Sequence, residues 1–379
     1  MGDREPVGRG GRRHDRRRPA EHRPADRHRR RLRREGGVRR RLARRLRPQR
    51  RRHGVVGSRL PLRAPAVRAR RGLPRGFDRR DGHRRDRFTD AVDRAAAAGV
   101  PVTVHAEDAS LFDESVLPGS TEDASAEMDD PRAEATARED ADAWSAYRRA
   151  EAEIAAAERT VEVAADTDAQ VHLAHTSTPE AVDIARDGGL TCEVTPHHLF
   201  RSRDDYDELG TFGRMNPPLR SESRRAALFE RLVDGRVDVV ATDHAPHTRE
   251  EKDADVWNAP SGVPGVETMV PLLLAATRTT DLTVERVRTV TARNPAEVFG
   301  VAGKGRIAAG YDADLALYDT TDATEIDGDA LHSKCGWTPF AGFEGVFPEW
   351  TMRRGELVWE RDGEAFGNAN GRNVRGDDR

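Results

Sequence analysis

The sequence predicts an α/β protein, a (β/α)8 TIM-type barrel whose amino-terminal strands are not legible, followed by a small carboxyl-terminal β-sandwich segment. Three observations predict it. Helical and strand-like stretches alternate from about residue 88 onward. The strands are short β-branched runs of the kind that parallel sheets bury. A polar side chain able to bind a metal stands where each strand ends, and in a barrel those ends converge on one site.

The elements follow in order. Thr89–Gly99 reads as a helix stopped by its glycine, and Val100–Val104 is a strand that ends at His105. Ala143–Ala165 is one long helical stretch, and Ala169–Ala174 is a strand ending at His175. Pro179–Asp187 is a helix closed by Gly188 and Gly189, followed by a strand over Leu190–Thr195 and then Pro196-His197-His198. Ser223–Val233 is a helix, and Val237–Ala241 is a strand ending near Asp243. These four units amount to about half a barrel. Beyond Gly300 the texture changes to glycine turns and alternating apolar positions, with a hairpin over Thr351–Glu360 that turns at Arg354-Gly355. Three segments result: 1–88, an Arg/Pro-rich stretch that does not fit the rest; 89–300, the carboxyl-terminal portion of a barrel; and 301–379, an accessory sheet and tail.

A net charge of −2 hides a sharp division. Residues 1–88 carry 34 arginines and no lysine against nine acidic residues, a balance of about +25. The rest carries 30 basic against 57 acidic residues, about −27, with Lys252, Lys304 and Lys334 as its lysines. So acidic a surface suits a protein dissolved in concentrated salt, where its self-repulsion is screened. The first segment shows no apolar period of 3.6 or 2.0, and its apolar residues are too sparse to offset the entropy of ordering. Read literally it is a disordered polycation. Binding to nucleic acid is disfavoured, because no aromatic interleaves the arginines and no recognition module is present. A third reading is favoured. In GC-rich genes the codons of an acidic, alanine-rich protein, read out of frame, yield arginine and proline. Cys192 and Cys335 have no disulfide-framework or zinc-finger spacing. No apolar run is long enough to span a membrane, so a cytoplasmic location is expected.

Taken singly, the strand-end residues have ordinary explanations. A histidine such as His105 or His175 is more often a hydrogen-bonded structural residue than a ligand, and Asp243 could cap a helix. Together, two imidazoles and a carboxylate at neighbouring strand ends form a donor set suited to Zn²⁺. His197 and His198 read as structural. Glu107, Asp108 and Arg148-Arg149 read as supports of the site or as surface ion pairs.

Six motifs then carry a specific resemblance: His105-Ala-Glu-Asp, His175-Thr-Ser-Thr, Glu193-Val-Thr-Pro-His-His-Leu199, Met215-Asn-Pro-Pro-Leu-Arg220, Thr242-Asp-His-Ala-Pro-His247 and Ala259-Pro-Ser-Gly262. In this order they resemble the motif series of dihydroorotases, and Gly300–Asp319 resembles the entry of amidohydrolases into their carboxyl-terminal sandwich. The resemblance implies two zinc ions per subunit and the reversible cyclisation of N-carbamoyl-L-aspartate to L-dihydroorotate in pyrimidine synthesis. It implies that His105 and His175 bind one metal, and that Asp243 touches the other and is the catalytic acid/base. Asn216 and His247, with Ser261 and Gly262 through their backbone, would hold this small-molecule substrate. The family also uses a His-x-His pair, an arginine and a bridging carboxylate from earlier in the barrel. Residues 1–88 hold His14, His22, His28, His53 and His83, no two of them in His-x-His spacing. The first metal site is therefore incomplete, and the chain as written is expected to have little activity. Allantoinase or hydantoinase activity, or a non-catalytic subunit supporting a partner such as aspartate transcarbamoylase, are the alternatives. Assembly into a homo-oligomer is left open.

Overall fold

The computed structural model describes residues 82–117, 137–363, 365–368 and 371–374. All lie within the unit Ala69–Arg379. What the sequence suggests for residues 1–81 falls outside them.

Four parallel strands, β1 (Val102–Val104), β2 (Val171–Leu173), β3 (Thr191–Val194) and β4 (Val239–Val240), pair in sequence order. Helices Gly82–Ala98, Ala150–Ala165, Pro179–Asp187 and Glu222–Val233 alternate with them. This is one wall of a β/α barrel. Register is continuous, with Val102 opposite Val171, His172 opposite Thr191 and Glu193 opposite Val239. Because parallel strands with helix crossovers are covered on their faces, they need apolar residues on both sides. Val104, Val171, Leu173, Cys192, Val194 and Val240 meet Ala156, Val182, Leu228 and Leu273 in one core. Truncating Leu173 there, 1% exposed, has a cost of about 2–5 kcal/mol. Both cysteines are buried and free. Burial, followed by the charge of Asp238, pushes the Cys192 thiol up to about 12.

The helix Pro179–Asp187 shows how local sequence sets these elements. Thr178 caps it through a hydrogen bond from the Ala181 amide, and Pro179 occupies the first turn, where no amide is needed. Its far end closes when Gly189, at φ 75°, lets the Leu190 amide reach back to the Ala185 carbonyl. The stretch expected as one helix over Ala143–Ala165 is instead two, Ala137–Tyr147 and Ala150–Ala165. Tertiary partners claim the carbonyls at the break. The Tyr147 carbonyl accepts from the Asp113 amide at 2.9 Å, and that of Arg148 accepts from the Arg220 guanidinium at 2.5 Å. The first helix begins at Gly82, so helical structure reaches seven residues into the segment set apart by composition.

Past residue 300, β5 (Leu315–Tyr318) pairs antiparallel with β8 (Pro348–Arg353), which continues to β9 (Glu356–Glu360) and β10 (Ala365–Phe366). β6 (Thr324–Glu325) and β7 (Glu344–Gly345) form a separate pair. The hairpin turns at Arg354 and Gly355, both at positive φ (47° and 79°), as a two-residue turn matched to strand twist requires. No described helix is long and apolar enough to cross a membrane.

Candidate metal centre

His105 follows β1 directly, and His175 stands two residues beyond β2. Their rings meet edge to face with centroids 4.7 Å apart, and His105 Nδ1 faces His175 Nε2 at 3.0 Å. The second nitrogen of His105, Nε2, lies 2.9 Å from the Glu107 carboxylate. Glu107 is 1% exposed and is also gripped by the Arg148 guanidinium. Burial pushes the Glu107 carboxyl up, but Arg148 beside it and hydrogen bonds from His105 and Arg148 outweigh this, leaving it at about 2. An ionised Glu107 accepts the proton of His105 Nε2 and leaves the Nδ1 lone pair aimed at His175. Carboxylate support of this kind is how proteins fix the tautomer of a metal-binding histidine.

His175 and Asp243 both sit at positive φ, 34° and 44°. Non-glycine residues there store about 1–3 kcal/mol of strain, and such residues concentrate at functional sites. The His175 amide is held by Glu193 Oε1 at 3.3 Å. Burial, then His105, lowers the His175 pKa, while Asp243, Glu107 and Glu193 pull it up. Its Nδ1 is buried without a partner. The structure thus brings His105 and His175 into contact and places Asp243 within electrostatic reach of His175. Among the described residues no group of three or more His, Cys, Asp or Glu side chains is close enough to hold a metal. The pair itself fits a cation. Neighbouring nitrogens on a tetrahedral zinc with bonds of about 2.0–2.1 Å stand roughly 3.3 Å apart, close to the 3.0 Å between His105 Nδ1 and His175 Nε2.

The residues expected to hold substrate lie on three segments, around Asn216, His247 and Ser261-Gly262. Asn216 Oδ1 is buried without a partner, just before a cis peptide to Pro217. The Gly262 amide donates to the Arg214 carbonyl at 3.0 Å. At φ 127°, a Cβ on Gly262 would lie 2.4 Å from that of Ala245, so only glycine admits this approach. The Ala245 amide donates to Val263, which ties the segment after Asp243 to that of Ser261-Gly262. The His247 carbonyl accepts from Trp337 Nε1 at 2.7 Å, while its ring stands 3.5 Å from Glu251.

His198 spends both ring nitrogens on Thr195 Oγ1 (2.8 Å) and the Pro217 carbonyl (3.0 Å), a structural arrangement. His197 is equally buried, and its Nε2 has no partner. Burial, then the charge of His175, pushes its pKa down to about 3. It stays neutral in the folded chain yet titrates near 6.5 when unfolded. Its contribution to stability is therefore complete above pH 6.5 and is lost as pH falls toward 3. Each pH unit in that window has a cost of about 1.4 kcal/mol. His197→Asn should flatten the acid limb of stability measured by urea unfolding between pH 6.5 and 4; an unchanged slope contradicts the assignment.

Sequence reasoning missed the inner supports. His172, fully buried within β2, bonds Thr191 Oγ1 at 2.8 Å and Glu193 Oε2 at 3.2 Å. The available signal was a titratable residue inside an apolar strand, which needs a partner on a neighbouring strand. Asp108 is buried and paired with Arg159 at 2.9 Å, so neither it nor Glu107 makes a surface ion pair.

The description of the amidohydrolase family matches residues 84–344. The chain belongs to that family. It is closely related to dihydroorotases, being 62% identical over 288 residues to one from Halobacterium salinarum and 41% identical over 290 residues to one from Methanosarcina acetivorans. These matches cover 76% and 73% of this chain, and 63% and 58% of the relatives' own lengths. Among solved structures, the L-hydantoinase of Arthrobacter aurescens superposes with a TM-score of 0.65 at 26% identity, over 73% of this chain and 61% of that enzyme. A D-hydantoinase from a Thermus species shares the fold, with a TM-score of 0.64 at 23% identity, over 74% of this chain and 61% of that one.

Proposed function

We propose that this chain carries the carboxyl-terminal part of a dihydroorotase barrel, which opens L-dihydroorotate to N-carbamoyl-L-aspartate and closes it again. The observation that carries the reading is its identity with the Halobacterium dihydroorotase over three-quarters of the chain. The facing imidazoles of His105 and His175 support it.

His105 and His175 would hold a divalent cation, zinc by donor type. Such a cation, when bound, polarises the amide carbonyl and acidifies water. The protein's own part is positional and protolytic. Asp243 takes a proton from water as the water oxygen bonds to the ring carbonyl carbon, and delivers it to the ring nitrogen as the C–N bond breaks. Glu107, kept ionised by Arg148, keeps the His105 lone pair pointed inward. Asn216 offers an unsatisfied buried carbonyl oxygen to a ring N–H, and His247 with the backbone of Ser261 and Gly262 completes the grip. The first 88 residues do not supply the remaining family ligands and are proposed to arise from an out-of-frame reading. Inspection of the encoding DNA decides this: no alternative frame encoding barrel strands means no such error.

The neighbouring hydantoinases make ring amides without a carboxylate the competing substrates. With a complete barrel and zinc, turnover of dihydroorotate should exceed that of hydantoin and allantoin by at least about 100-fold in kcat/KM. Equal or reversed preference overturns the assignment while leaving the hydrolase reading intact.

A further inference from the structure

We propose that Lys252 is a positioning residue that locks together two of the segments assigned to the substrate, 214–216 and 260–262. Lys252 closes the short helix Arg249–Lys252 and is fully buried. Its ammonium has three N–H donors, and each has a backbone carbonyl: Arg214 at 3.1 Å, Pro260 at 2.9 Å and Gly262 at 3.2 Å. One of these carbonyls, that of Arg214, also receives the Gly262 amide at 3.0 Å. Asn216 follows two residues after Arg214, and Ser261 lies between the other two carbonyls. The lysine is itself anchored, since Thr211 Oγ1 donates to its carbonyl at 2.7 Å. The face of Trp337 lies 5.9 Å from its nitrogen.

The charge is what makes this arrangement informative. A buried ammonium usually has a carboxylate partner, because leaving water is costly for an ion. The influences on Lys252 are burial and the like charge of Arg214, both unfavourable to its protonated form. A methionine would fill the same space without that cost. The three carbonyl dipoles are the compensation, and they belong to the segments that carry Asn216, Ser261 and Gly262. Lys252 therefore acts on substrate through those residues.

This inference rests on the substrate roles proposed above only for its functional meaning. The lock itself can be tested without metal or substrate, by amide hydrogen exchange on the full chain. In Lys252→Met, exchange of the Gly262 amide and of segment 214–216 should quicken by about tenfold or more, while strands Val171–Leu173 and Thr191–Val194 keep their protection. In Lys252→Ala, methylammonium should restore the protection and methanol should not. Unchanged exchange at Gly262 in folded Lys252→Met overturns the proposal, as does loss spread equally over the core strands or rescue by methanol. If Lys252→Met does not fold, Lys252→Gln, which keeps two donors, must show a smaller loss confined to the same two segments or the proposal fails. Should the locked segments loosen as expected while a completed barrel ignores dihydroorotate, the lock stands and the substrate assignment falls.

Discussion

Joined to the amino-terminal segment of a full-length dihydroorotase in place of residues 1–88, the chain should hydrolyse L-dihydroorotate, whereas the unaltered chain should stay near the background rate. Enzymatic accelerations begin at about 10⁶-fold, so this is the largest effect expected. The described structure supplies one facing imidazole pair and Asp243, with no cluster of three or more metal-binding side chains among its described residues. In the family the remaining ligands come from earlier strands, and residues 1–88 offer five histidines in other spacings and no lysine. A folded, zinc-loaded chimera without activity would show that His105, His175 and Asp243 do not form a working half-site. Full activity of the unaltered chain would show that residues 1–88 supply what their spacing denies. Ring opening followed by ultraviolet absorbance distinguishes these outcomes.

Glu153→Ala is the substitution expected to damage the fold most, by about 3–5 kcal/mol in urea unfolding. Glu153, 2% exposed, accepts from the Ser177 amide (2.7 Å) and hydroxyl, the Thr178 amide (3.1 Å) and hydroxyl (3.2 Å), and Arg220 Nη2 (3.2 Å). It thereby fixes the loop that follows His175 to the end of the Met215–Arg220 segment. Removing it strands the guanidinium of Arg220, 6% exposed, whose other bonds go to neutral oxygens of Ser177 and Arg148. Glu153→Leu combined with Arg220→Met should recover part of the loss, because no buried charge is then left unpaired. A single-variant cost under about 1 kcal/mol would mean the network does not carry the loop.

What the sequence made legible was what depends on local pattern. The β-branched runs ending at His105, His175 and near Asp243 became strands trimmed by a residue or two at their ends. The Thr-Pro start and Gly-Gly stop bounded Pro179–Asp187 without error. What stayed hidden depends on partners distant in sequence. The break after Tyr147 lies in a stretch of good helix formers, and only Asp113 and Arg220, 34 and 72 residues away, take the carbonyls there. The pairing of His172 with Glu193 needs the register of β2 on β3. The burial of Lys252 depends on the carbonyls of Arg214, Pro260 and Gly262, which only the fold brings to it. At the proposed site, motif order singled out His105 and His175, which the fold brings into contact, whereas the burial of Glu107 beside Arg148 needed the fold.

The central proposal is that the imidazoles after β1 and β2 share one divalent cation, with the carboxylate after β4 serving the neighbouring cation of the same centre. Crystals of this chain grown with zinc and measured at its absorption edge test that most directly. The expected result is an anomalous peak about 2.0–2.1 Å from His105 Nδ1 and His175 Nε2. An empty map between those nitrogens, with zinc bound elsewhere or nowhere, would contradict it.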